Sequence, residues 1–129
     1  MPDINYLAVL TAAISSFTLG GLWYSKLLFE TVWVREARVS PRHGHSARVF
    51  VLSFVFCLIA ATAFAIWLGP EPPLKEAALK GFYVGAGFVA TSFGINYQFA
   101  GNNIRMYLID AGYHTLQFAL FGLILGLWH

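Results

Sequence analysis

An acid, Asp110, an imidazole, His114, and an amide, Gln117, lie within a stretch that otherwise reads as a membrane span, YLIDAGYHTLQFALFGLILGLW, from Tyr107 to Trp128. At 100° per residue, Tyr107, Asp110, His114 and Gln117 fall within an arc of roughly 80° on one helical face. Asp110 and His114 stand four residues apart and can interact directly. Burial favours a neutral acid and imidazole, whereas their mutual attraction favours the ion pair, and the sequence leaves both open. Ionisable groups inside lipid face protein, water or a partner charge. One use of this face is an interhelical hydrogen-bond network with Asn96 and a tyrosine hydroxyl, each bond worth about 1 kcal/mol or less. Another is a site for a proton, an ion or a small solute. Contact with another protein is a third.

Other chemistries find little support. No Ser/His/Asp set is spaced for acyl transfer, and no Cys/His or Glu-rich set offers a full metal shell. His43 and His45 form a His-x-His pair in a loop, but the ligands needed to complete a site are not nearby in sequence. Tyr113, His114 and Asp110 would be the acid–base groups of a membrane enzyme. The expectation is a non-enzyme with no cofactor and no metal. The single cysteine, Cys57, excludes an intrachain disulfide, and nothing cationic lies near it in sequence to lower its pKa.

The elements that hold this face are membrane helices. Of the 129 residues 58% are hydrophobic and 11% charged, against roughly a quarter charged in soluble domains. A chain this short has more apolar side chains than one small core can hide, so the bilayer is its solvent. A net charge of +2 and the lack of a basic patch argue against nucleic acid. The N-terminus lacks the basic region of a signal peptide, and the first apolar run is read as a retained span.

Four spans are expected in one membrane domain, residues 1–129: about 4–29, 49–68, 74–99 and 107–128. Trp23 and Tyr24 close the first. Amphipathic rings at that depth form an interfacial belt, or one of them closes the polar pocket under the fourth helix. From Leu27 to Val39 the apolar residues alternate with charges, as in a short helix lying in the interface. Residues 40–46 are the main loop. Gly69-Pro-Glu-Pro-Pro73 stops the second span sharply. Its shortness implies that spans two and three are antiparallel neighbours. In span three Gly81, Gly85, Ser92 and Asn96 share a face of roughly 60°. Gly81 with Gly85, and Gly122 with Gly126, are expected helix-packing positions.

Basic residues set the topology. The first loop and its flanks carry Lys26, Arg35, Arg38, Arg42 and Arg48, and the third carries Arg105, against Lys75 and Lys80 in the second. Loops one and three are therefore expected on the cytoplasmic side of an inner membrane, with both termini outside. At 1.5 Å per residue, Asp110 lies roughly 7–8 Å inward from Arg105, in the cytoplasmic half.

Three motifs together carry a resemblance: Gly20-Gly-Leu-Trp-Tyr-Ser-Lys-Leu-Leu-Phe29 with Trp33, Ile109-Asp-Ala-Gly-Tyr-His114, and Gly122-Leu-Ile-Leu-Gly-Leu-Trp128. In this order the chain resembles the bacterial four-helix membrane family catalogued as domain of unknown function 1761. The resemblance implies an integral membrane protein and supplies no activity. The family pattern expects proline after Trp-Tyr-Ser and glycine after the phenylalanine; here Lys26 and Glu30 stand there, which leaves open whether the first helix breaks.

The expected fold is all-α, a bundle of four antiparallel membrane helices with a short interfacial helix after the first. So small a bundle points to a homo-oligomer or to other membrane subunits as partners. The leading functional expectation is an oligomeric, transporter-like bundle that binds an ion or small solute at Asp110, His114, Gln117, Asn96, Tyr24 and Trp23. The alternative is a non-catalytic accessory subunit docking through its glycine faces.

Overall fold

The computed structural model describes residues 3–25, 27–37 and 47–129. The described residues are helical throughout apart from turns. The elements are α1 (Tyr6–Trp23), α2 (Glu30–Ala37), α3 (Ala47–Leu68), α4 (Leu74–Val84), α5 (Ala90–Ala100) and α6 (Ile104–Leu127). A π-helical turn, Gly85–Val89, joins α4 to α5, so the two run on as one span, Leu74–Ala100. Four helices are thus long and apolar enough to cross a membrane: α1, α3, the α4–α5 unit and α6. The loop pair His43 and His45, and Lys26, lie outside the described residues.

Local chemistry sets the helix ends. Asn5 starts α1, its side-chain oxygen accepting from the N–H groups of Leu7 and Ala8 at 3.1 Å, which satisfies donors that have no intrahelical partner. The first helix stops at Trp23 rather than running to residue 29 as expected. Ser25 donates its hydroxyl to the Leu22 carbonyl at 2.6 Å, and the Phe29 N–H returns to the Trp23 carbonyl at 3.1 Å. These bonds close a turn, and the chain folds back as α2. Gly101 ends α5 in the left-handed conformation, φ +71°, which glycine adopts without a Cβ clash. Asn103 then caps α6 by accepting from the Arg105 N–H at 2.7 Å. The cap starts α6 three residues earlier than its apolar run suggests.

Successive spans are antiparallel. Ser16 meets Tyr113 and Gln117 while Tyr24 meets Asp110, so α1 and α6 run in opposite directions. Phe17 meets Phe50 and Phe54 while the Ala8 end of α1 packs with Ala61 and Ala65, which sets α3 against α1 in the same way. The side-by-side order differs from the chain order. Spans two and three do not pack along each other, contrary to expectation. A proline turn fixes their direction but not their contact. Near that turn the Lys80 ammonium sits over the Trp67 ring, 5.5 Å from its centroid. Span three packs on α6 instead, and α3 packs on α1.

The reason lies in the glycines. A Cβ on Gly81 would collide with the Phe118 carbonyl, and one on Gly122 with the Ala77 carbonyl. On Gly85 it would fall 2.6 Å from the Thr115 Cα, and on Gly126 2.9 Å from the Leu74 Cα. All four glycines therefore serve one backbone-to-backbone seam within the chain. In lipid such a seam gains from van der Waals contact rather than from apolar burial. On the other side of α6, Ala8, Val9, Ala12, Ala61, Phe64, Ala65, Phe121 and Leu125 form the core. The outward faces carry bulky apolar groups such as Phe56, Ile59, Phe88 and Phe99, as lipid contact requires.

Candidate functional site

The Asp110 carboxylate sits on α6 with 8% of its residue surface exposed. Three donors from three other elements meet it. Tyr24, in the turn after α1, donates to Oδ1 at 2.5 Å; Trp33, on α2, donates to Oδ1 at 3.1 Å; Tyr97, on α5, donates to Oδ2. The indole N–H can only donate, so Oδ1 must accept. Tyr24 stands one residue past the first span. Burial, then its bond to Asp110, pushes its hydroxyl pKa up, so it remains a protonated donor. Among the described residues the ion pairs are Glu36 with Arg35 at 3.5 Å and with Arg105 at 3.9 Å. Asp110 takes part in neither.

Helix α6 is fastened at this level by a further bond. The Trp23 indole donates to the Ile109 carbonyl at 2.9 Å, and a Cβ on Gly112 would lie 3.1 Å from the Trp23 ring. The absence of a side chain at Gly112 thus makes room for the indole.

A second polar layer lies deeper. Ser16, fully buried on α1, accepts from the Gln117 amide at 2.8 Å, and Tyr113 donates to the Ser16 carbonyl at 3.0 Å. The Cys57 thiol lies 3.7 Å from both the Ser16 hydroxyl and the Gln117 amide nitrogen. With the amide nitrogen on Ser16, the Gln117 oxygen faces His114 Nδ1 at 2.7 Å. That assignment makes Nδ1 the donor and leaves Nε2 as the basic nitrogen. The imidazole stacks on Phe93 at 4.8 Å and meets Tyr113 edge-on at 4.9 Å. Tyr113 also contacts the Tyr24 ring at 5.6 Å, so aromatic contact links the two layers. Among the described residues every buried side-chain nitrogen or oxygen has a hydrogen-bond partner, and no three His, Cys, Asp or Glu side chains gather as a metal set.

A family model described as "Protein of unknown function (DUF1761)" matches residues 7–126. The chain belongs to the DUF1761 family. No curated protein and no solved structure matches it.

In this DUF1761 chain the structure joins Tyr24 and Asp110 directly and brings Trp23 onto the carbonyl next to Asp110. It joins His114 to Gln117 but gives no hydrogen bond between His114 and Asp110. Asn96 falls outside both layers, on an exposed face of α5. The cause is the π-helical turn. One extra residue in a turn rotates the remainder of the helix by about 100°, so the inward positions run Ala77, Gly81, Gly85, then Ala90 and Tyr97. Tyr97 occupies the place that a regular helix assigns to Asn96. The alternating neighbours of Trp33 assign it to an interfacial face, yet it reaches Asp110. Its position as the aromatic nearest the middle of a short amphipathic helix is the available signal. Ser16 gives less warning, because one serine among small residues looks like a packing residue.

Proposed function

We propose that this membrane protein binds a cation at Asp110, in the manner of a small carrier. The observation that carries the reading is a buried carboxylate held by three neutral donors from three elements, with no cationic partner among the described residues. A carboxylate with no counter-charge among the described residues of a membrane bundle attracts one. The excess of Lys and Arg in loops one and three would place this end of the bundle in the cytoplasm of a cell whose inner membrane holds the chain.

A second reading makes the polar layers purely architectural. It is favoured by the complete pairing of the buried polar atoms among the described residues. Docking on a larger complex through Gly81, Gly85, Gly122 and Gly126 has less support, because those faces are occupied within the chain.

Calorimetric titration of the detergent-solubilised protein with sodium, potassium and tetraphenylphosphonium separates the two main readings. Binding of at least one cation is expected. Asp110→Asn should weaken it at least about tenfold, which is 1.4 kcal/mol. Cation binding that ignores Asp110→Asn, or no binding at all, would leave the architectural reading.

A further inference from the structure

Beside the Asp110 cluster an open groove of about 470 Å³ lies between α5 and the start of α6. This volume is in the range that drug-sized ligands occupy. Thr91, Ile95 and Gln98 line it from α5, and Ile104 and Tyr107 from α6. None of its lining residues is charged. Tyr97 belongs to both structures: it lines the groove and donates to Asp110 Oδ2. Tyr97 is buried, and among the described residues its hydroxyl is tied to Asp110. The neighbouring Tyr107 is anchored separately, its hydroxyl on the Ala90 carbonyl at 2.9 Å. Each hydroxyl is held by one hydrogen bond, and it is the Tyr97 bond that covers the carboxylate.

Resting on the cation-binding reading, we propose that this groove is the lateral access path to Asp110, that Tyr97 is its gate, and that the ligand is a lipophilic organic monocation. Three features select that class. The groove opens on the flank of two membrane helices, with Ile95 and Ile104 largely exposed, so the ligand partitions from lipid. Its walls offer tyrosine rings, which tolerate a diffuse positive charge, and no cationic side chain to pair with an anion. The carboxylate behind Tyr97 supplies the complementary charge. Arg105, the cation next in sequence to Ile104, is paired with Glu36 at 3.9 Å and does not line the groove. On binding, the Tyr97 hydroxyl leaves Oδ2 and the cation takes its place.

The test places a thiol in the groove by Gln98→Cys, at an exposed position. The wild-type chain, whose single Cys57 is buried, serves as the blank. Labelling of the full-length protein by a neutral maleimide is followed with tetraphenylphosphonium and with tetraphenylborate, an anion of the same shape. At a concentration ten times Kd, tetraphenylphosphonium should slow labelling about tenfold, in line with site occupancy. Tetraphenylborate should not, and Asp110→Asn should abolish the protection. Gly94→Leu, which projects into the groove where a Cβ meets only the Tyr107 ring edge at 3.4 Å or more, should weaken tetraphenylphosphonium binding by a similar factor.

Calorimetric cation binding without protection of the thiol would overturn the groove and leave the Asp110 reading standing. Equal protection by tetraphenylborate, or protection that survives Asp110→Asn, would overturn the charge selection. Absence of cation binding in the wild-type chain would overturn both proposals.

Discussion

Trp33 donates its indole N–H to the Asp110 carboxylate at 3.1 Å, across 77 positions of sequence. This bond ties the short helix α2 to the membrane helix α6. A hydrogen bond to a charged group contributes about 1.5–3 kcal/mol. Trp33→Phe keeps an aromatic ring and deletes the donor, so it should lower stability by about 1–3 kcal/mol. Denaturant titration in detergent micelles measures this. Trp128→Phe, at an exposed indole, is the control and should change stability by less than about 0.5 kcal/mol.

Asp110→Asn and Asp110→Leu should behave differently. The asparagine carbonyl can still accept from Tyr24 and Trp33, and its amide can donate to the Tyr97 hydroxyl, which is able to accept. A folded protein with a loss of about 1 kcal/mol is expected. Leucine leaves three donors without an acceptor, Tyr97 buried and Tyr24 and Trp33 half-buried, at up to about 1–3 kcal/mol each. Comparing the two melting curves by circular dichroism checks the assignment. Equal losses would mean that the three donors find other partners.

The α4–α6 seam gives a positional prediction. Gly81→Ala and Gly122→Ala press a methyl group onto a facing backbone carbonyl, so each should destabilise by about 1–3 kcal/mol as the helices separate. Gly21→Ala and Gly87→Ala meet nothing within 4 Å. They should be neutral, or gain up to about 1 kcal/mol from the better helix former. Thermal melts of the four variants, side by side, test the seam without reference to any activity.

The sequence by itself determined the solvent, the number of spans and the chemistry within them. Apolar runs of sufficient length, interrupted by Gly69-Pro70 and by Gly101, leave few alternatives to four membrane helices, because an unpaired backbone is excluded from lipid. The polar face of α6 was also legible, since a regular helix repeats every 3.6 residues and Asp110, His114 and Gln117 obey that repeat. Tertiary structure alone decided what meets that face. A single π-helical turn at Gly85–Val89 exchanges Asn96 for Tyr97, and local sequence carries no clear mark of such a turn. The fold of α2 against α6 turns Trp33 from an interfacial ring into a hydrogen-bond donor to Asp110. The order of the helices depends on where glycines let backbones approach. Periodicity names the face of one helix. Which neighbour covers it depends on the packing of all of them.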